Sequence, residues 1–161
     1  MLRLAAAAFS ALALLSVSGA WAGEHTSAAA SCAVTKPNGK MPAGVAVNSD
    51  SYGSDALGTL LWPQGKVVFV PGGSGFILED GSLSMKFPWW RGVTGKLTIT
   101  GRRLDGAAPP LRARIPGGYG DTGFQASGII FPTTGCWEVT GSVGEASLTF
   151  VTLVERVASA K

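Results

Sequence analysis

The chain has 161 residues, 13 basic and 10 acidic side chains, and a formal net charge of +3. This near balance gives no indication of nucleic acid or an anionic membrane as a partner. Its 23 glycines and 9 prolines, together with few long helix-forming runs, predict β structure with many turns.

The first 22 residues have the features of a secretory signal peptide. Arg3 gives a positive start, an apolar run follows, and Ala20-Trp21-Ala22 fits the small-x-small rule for cleavage before Gly23. The alternative is a membrane anchor, for which the apolar run is short. Removal of 22 of the 161 residues leaves 139, the size of one domain, with 12 basic and 10 acidic residues and no further run long enough to span a membrane.

The two cysteines of an exported chain favour a disulfide between Cys32 and Cys136. This bond closes a loop of about 105 residues, for which the chain-entropy treatment gives a stabilisation of roughly 4–5 kcal/mol. Because Trp137 is the expected core residue, Cys136 should point away from the core and attach the N-terminal segment to the outside or end of a sheet. We therefore expect a secreted or periplasmic protein. The alternative is a lipid anchor through Cys32, since Ala29-Ala30-Ser31-Cys32 loosely resembles a lipid-attachment box.

Three regions follow the signal peptide. Residues 23–55 are predicted to be a leader and an N-terminal loop, with an edge strand at residues 45–47. Residues 56–155 are predicted to form the folded domain, and residues 156–161 a tail.

The first predicted hairpin pairs residues 56–62 with residues 66–70. The residues between them, Pro63-Gln64-Gly65, are typical of a turn, because proline presets φ and glycine accepts a positive φ.

The next strand has the clearest alternation in the chain, with apolar side chains at Leu83, Met85, Phe87 and Trp89. A period of two predicts that these four side chains share the buried face. Trp89 is therefore assigned to the core, and Trp90 falls on the face that points to solvent.

Arginines alternate with apolar residues in the two strands that follow. Residues 97–103 include Arg102, and residues 111–115 include Arg112 and Arg114. We interpret these three arginines as one solvated sheet face that discourages edge pairing. The alternative is a patch for an anionic ligand.

The last two strands form the second predicted hairpin, after a loop at residues 116–123 and a strand at residues 124–131. Trp137 and Val139 share one face of the first strand, and Leu148 and Phe150 share one face of the second. About eight strands with regular turn signals and no convincing helix predict a single immunoglobulin-like antiparallel β-sandwich, with a small β-barrel as the alternative.

Several short motifs carry a resemblance over roughly residues 56–155. They are Trp89-Trp-Arg-Gly, Leu97-Thr-Ile, Gly101-Arg-Arg-Leu-Asp, Pro109-Pro-Leu-Arg-Ala, Gly118-Tyr-Gly, Gly123-Phe-Gln-Ala-Ser and Gly135-Cys-Trp-Glu-Val-Thr-Gly. Together they resemble a group of uncharacterised exported bacterial proteins that end in an immunoglobulin-like strand. The resemblance implies the fold, and it brings no activity, ligand or catalytic residue.

Catalysis by a serine or cysteine nucleophile requires a histidine base, and the single histidine, His25, lies in the predicted leader. The same lack argues against a histidine–cysteine zinc site. The sequence thus indicates no catalytic residue, metal or cofactor. Gly118-Tyr-Gly-Asp-Thr-Gly123 matches G-x-G-x-x-G, but a strand-like segment follows it where a dinucleotide site requires a helix.

Acidic residues supply the remaining chemical alternatives. A pair of carboxylates could hydrolyse glycosides without histidine, and the candidates are Glu79, Asp80, Asp105, Asp121 and Glu138. Calcium bound by Asp105 or Asp121 is a further alternative, although no closely spaced acidic ladder is present.

The candidate binding residues are Trp90 and Tyr119, with Arg91 beside them. Exposed aromatic rings near an arginine could stack on a sugar or anchor a protein. We therefore expect a non-catalytic extracytoplasmic module with a binding or structural role, its partner being an envelope glycan or a protein. The alternative is a small carbohydrate-active envelope protein that uses loop carboxylates.

Overall fold

The computed structural model describes residues 31–157. The predicted signal peptide, its cleavage site and His25 lie outside the described residues. The described part contains ten strands and one 3-10 turn, Pro63–Gly65. No helix within it is long and apolar enough to cross a membrane.

The strands form two sheets. The first sheet contains β1 (Ser51–Gly53), β2 (Leu57–Leu60), β4 (Phe76–Ile77), β5 (Leu83–Arg91), β7 (Arg112–Arg114) and β8 (Gly123–Phe131). Its order is β1-β2-β5-β8-β7, and β4 pairs with β5. The second sheet contains β3 (Lys66–Phe69), β6 (Thr98–Arg103), β9 (Gly135–Val143) and β10 (Ala146–Arg156), in the order β3-β10-β9-β6. The sheets pack as a sandwich and do not close into a barrel, which confirms the predicted fold.

Alternation on the long strands builds the core between the sheets. Trp89 and Trp137 are both fully buried, as predicted, and Val139 and Phe150 lie in the same layer. Aromatic rings cross the interface: the ring centroids of Phe87 and Phe150 are 5.2 Å apart. Such contacts stabilise the sandwich beyond the burial of area alone.

The predicted hairpin between residues 56–62 and 66–70 is wrong. β2 belongs to the first sheet and β3 to the second, so the turn between them carries the chain across the sandwich. Gly65 does take the expected positive φ of 68°, and Gln64 has a φ of 57°. The half-buried Trp62, just before the turn, packs 4.5 Å from Phe87 in the core, which favours this crossing.

β3 instead pairs with the end of the chain. It runs parallel to β10, with Lys66 opposite Leu153, whereas the other strand pairs are antiparallel. Residues 45–47 do not form the expected edge strand; that segment is irregular, and the first strand within residues 31–157 is β1.

The disulfide between Cys32 and Cys136 is confirmed, with a Cα–Cα distance of 5.4 Å. Cys136 points away from the core, and the N-terminal segment lies over it, so that its side chain is 4% exposed. Thr35 continues this attachment, because its backbone N–H donates to the carbonyl of Val151 at 2.9 Å. The sulfur of Cys32 is bonded to Cys136, so the thiol that a lipid anchor would use is occupied in this structure.

Candidate functional site

A groove of about 1090 Å³ crosses the outer face of the first sheet. Its floor is made by small or short outward side chains on β5 and β8, namely Ser84, Pro88, Ala126 and Gly128. Its walls come from segments on either side of these two strands. β4 and the residues after it form one wall, and residues 114–119 form the other.

The β4 wall exposes large apolar side chains. Phe76 pairs in register with Ser84, which places it on the outer face, and it is 57% exposed. Ile77 beside it is 37% exposed. Contiguous exposed apolar side chains on a soluble domain are typical of a binding surface.

Aromatic rings close one end of the groove. Phe124 lies between two of the residues singled out in the sequence: its ring centroid is 5.5 Å from that of Trp90 and 5.8 Å from that of Tyr119. Both contacts are edge-to-face, the geometry that aromatic pairs favour. Tyr119 and Phe124 line the groove, whereas the half-buried Trp90 supports Phe124 from the far side and does not line it.

The orientation of β8 is the feature that the sequence did not reveal. Gln125 and Ser127 face the interior and are 5% and 4% exposed, whereas Phe124 faces outward and is 47% exposed. Along residues 124–128 of β8 the polar side chains are therefore buried, and the more apolar side chains face the groove. Ile129 and Phe131, farther along the buried phase, are fully enclosed and fix this orientation.

The buried polar groups on β8 are satisfied by backbone acceptors. The Ser127 hydroxyl donates to the carbonyl of Phe87 at 2.9 Å. The Gln125 amide donates to the carbonyl of Pro116 at 3.0 Å, in the segment that leads to Tyr119. Hydrogen bonding lowers the cost of burying them, so the strand can keep its apolar phase outside.

Arg91 has a different position from the one expected. Its side chain points inward at the end of the sandwich and is 6% exposed, so it is not part of the surface that includes Tyr119. Its guanidinium donates to the carbonyl of Gly95 at 3.0 Å and to the carbonyl of Gly120. Arg91 and Gln125 thus hold the Tyr119 loop on both sides of Tyr119, which pre-organises the ring at the groove.

Two cations face the groove. Lys86 and Arg114 both lie opposite Gly128 in the strand register, one on each neighbouring strand, and both are exposed. Neither forms an ion pair with any acidic group of residues 31–157. They are therefore available to a ligand.

The expected three-arginine face is wrong. Arg102 lies on β6 of the second sheet, where it bonds Glu138 at 2.7 Å, whereas Arg112 and Arg114 lie on β7 of the first sheet. Arg112 bonds Asp80 at 2.7 Å. Of the three arginines, only Arg114 reaches the groove.

Three of the five candidate acidic residues are bonded to arginine: Asp80 to Arg112, Asp105 to Arg103, and Glu138 to Arg102. Hydrogen bonds from Ser82, with a smaller contribution from Arg112, lower the pKa of Asp80 to about 2. The hydrogen bond from Arg103 likewise lowers the pKa of Asp105. Across residues 31–157 no group of three or more His, Cys, Asp or Glu side chains could hold a metal ion.

Comparisons of the chain with protein families, with curated proteins and with solved structures found no match.

Proposed function

We propose that this chain is a non-catalytic extracytoplasmic binding module that holds an apolar ligand in the groove on the first sheet. The orientation of β8 is the observation that carries the proposal, because it buries Gln125 and Ser127 and exposes Phe124. A buried polar residue next to an exposed aromatic one reverses the usual distribution, so this strand is shaped for a partner on its outer face.

The size and rigidity of the groove support the same function. Its volume of about 1090 Å³ is slightly above the roughly 300–1,000 Å³ of typical small-molecule sites, and its walls are mainly apolar with a few polar groups. Because Arg91 and Gln125 hold the loop that presents Tyr119, little conformational entropy is lost when a ligand binds there.

An exported location fits this role. The disulfide between Cys32 and Cys136 is characteristic of oxidising compartments such as the periplasm or the exterior of the cell. We therefore place the module at the cell envelope, in agreement with the predicted signal peptide.

The rival proposal, a glycosidase-like protein, has weaker support. Such a reaction requires one carboxyl with a raised pKa as the general acid. Asp80, with a pKa of about 2, is shifted in the opposite direction. Glu79 is the one acidic residue in the lining of the groove, and the adjacent carboxylate of Asp80 is held by Ser82 and Arg112.

The neutral fluorophore N-phenyl-1-naphthylamine tests the proposal, since its emission rises in apolar sites. We expect it to bind the purified protein, and we expect Phe76→Ala and Tyr119→Ala each to weaken binding by about tenfold, because each removes an aromatic contact. Val68→Ala is the matched control, because Val68 is an exposed apolar side chain on the second sheet.

The control should bind the fluorophore as the unaltered protein does. Equal binding by all three variants would place the apolar site elsewhere and contradict the proposal. A protein that does not bind the fluorophore at all, while its circular dichroism shows a folded β domain, would contradict it as well.

A further inference from the structure

We propose that the ligand is a single-chain amphiphilic anion, such as a long-chain carboxylate, whose head group lies over Gly128 between Lys86 and Arg114. The inference rests on the proposed function, because the apolar chain would lie in the same groove. It adds the chemical class of the ligand and the residues that recognise its charge.

The register of three strands brings together the residues of the proposed anion-binding site, the anion seat. Lys86 on β5, Gly128 on β8 and Arg114 on β7 stand in one row across the sheet, on its outer face. Neighbouring strands are about 4.8 Å apart, so the Cα atoms of the two cationic residues are separated by about 10 Å. Both side chains are long enough to contact one anion placed midway between them.

The space above Gly128 is open. A Cβ atom built there would have the Arg114 Cβ, at 3.8 Å, as its one neighbour within 4 Å. Glycine at this position therefore leaves a gap between the cations that any larger side chain would fill. Because a carboxylate accepts charge-assisted hydrogen bonds from both lysine and arginine, this gap matches it in charge and in hydrogen bonding.

The charges that face the groove favour an anion. Lys86 and Arg114 are both unpaired among the described residues, and Glu79 is the acidic side chain in the groove lining. The nearby carboxylate of Asp80 is bonded to Arg112 and Ser82, so it does not compete for the two cations.

The remaining lining favours an alkyl chain over a sugar. Phe76, Ile115, Pro116 and Phe124 offer apolar contact and no side-chain hydrogen bond. Sugar hydroxyls in such a groove would lose hydrogen bonds to water without replacement, which is costly, whereas a hydrocarbon chain loses none. An anionic amphiphile therefore fits both ends of the site.

A comparison of decanoate with 1-decanol isolates the head group, because the two share one chain length. Each compound is titrated against N-phenyl-1-naphthylamine bound to the purified protein, at concentrations below the one at which that compound aggregates. We expect decanoate to displace the probe at a concentration at least about tenfold lower than 1-decanol does, the factor that one charge-assisted hydrogen bond supplies. Added salt should reduce this preference.

Three variants test the seat. The double variant Lys86→Gln/Arg114→Gln should remove the preference for decanoate over 1-decanol. Gly128→Val keeps both cations and fills the gap, and it should also remove the preference; its φ is ordinary and its Cβ has room, so the strand should tolerate it. Lys96→Gln, an exposed lysine between β5 and β6, is the matched control and should retain the preference.

The outcomes separate the two proposals. If the probe binds but decanoate and 1-decanol compete equally, the anion seat is wrong and the apolar groove stands. If the double variant keeps the preference, the seat is wrong in the same way. If neither the probe nor either alkyl compound binds, as judged by fluorescence and by calorimetry, the proposed function itself fails.

Discussion

At the scale of single residues, Gly141 shows how the core depends on the absence of a side chain. It lies on the inward phase of β9, and a Cβ atom built there would lie 2.5 Å from Cζ3 of the buried Trp89 ring. A fully buried ring between two sheets cannot move aside without disturbing its neighbours. The glycine therefore provides the space that the tryptophan occupies.

We expect Gly141→Ala to lower the free energy of unfolding by about 1–3 kcal/mol, because it overpacks the core. Gly128→Ala, on the outer face of β8 in the first sheet, where a Cβ atom has room, is the control and should change stability by less than about 1 kcal/mol. Urea denaturation of the two variants measures both values. If the two variants lose equal amounts of unfolding free energy, then contact between the new side chain and Trp89 is not what destabilises Gly141→Ala.

Asp80 gives a residue-scale prediction on pH. Its pKa is lowered from the ordinary value of 3.8 to about 2, first by the hydrogen bonds from Ser82 and then by Arg112. Because the folded pKa lies below the unfolded one, the stabilisation is fully present above the unfolded pKa and is lost as the pH falls through about 2.

A carboxyl carbon NMR titration checks this value. We expect the Asp80 pKa to rise towards 3.8 in Ser82→Ala, and to rise by less in Arg112→Gln, because the hydrogen bond from the Ser82 hydroxyl is the largest single cause of the shift. Ser82→Ala keeps the backbone hydrogen bond to Asp80. The reverse order would mean that the arginine, and not the serine, controls the carboxylate.

At the scale of elements, alternation predicted the long strands correctly. The faces assigned to Trp137 with Val139, and to Leu148 with Phe150, are the buried faces of β9 and β10. In β8 the two phases are mixed, since Gln125 and Ser127 share a phase with Ile129 and Phe131. Periodicity could not reveal which phase is buried there, because the answer depends on backbone carbonyls that lie far away in sequence, such as that of Phe87.

A tryptophan on the inner face of a strand and one on the outer face should contribute differently to stability. We expect Trp137→Ala to cost roughly 3–5 kcal/mol of unfolding free energy, because its ring is fully buried. The indole N–H also donates to the carbonyl of Thr133 at 3.0 Å. Trp90→Ala should cost far less, because that ring is half-buried on the outer face. Chemical denaturation measures the difference. Similar losses of unfolding free energy in the two variants would contradict the assignment of Trp90 to the outer face.

At the scale of the whole molecule, local sequence signals did not reveal which sheet each strand joins. The turn at Pro63–Gly65 has the residues of a hairpin turn, yet it carries the chain from the first sheet to the second. The partner of β3 is β10, whose pairing begins with Lys66 opposite Leu153, and no local pattern reports so distant a contact. The disulfide could be predicted because only two cysteines were available.

The candidate site was likewise predicted only in part from the sequence. Tyr119 was found from the sequence because it lies between glycines in a loop, and it does line the groove. Phe76, Lys86 and Phe124 were not singled out as parts of a site, and Arg114 was named only together with Arg102 and Arg112. The four groove residues come from four separate segments that meet only when β5 pairs with β4 and β8, and β8 with β7. A surface built by strand register becomes visible only once the register is known.

The most direct test of the groove as the binding site is an NMR titration of the purified, amide-labelled protein with decanoate. We expect the largest shifts at Lys86, Phe124 and Gly128, with smaller shifts at Phe76 and Tyr119, and no shifts on the outer face of the second sheet. Shifts centred on the second sheet, or none at a decanoate concentration that saturates the fluorescence displacement, would contradict the assignment of the ligand to this groove.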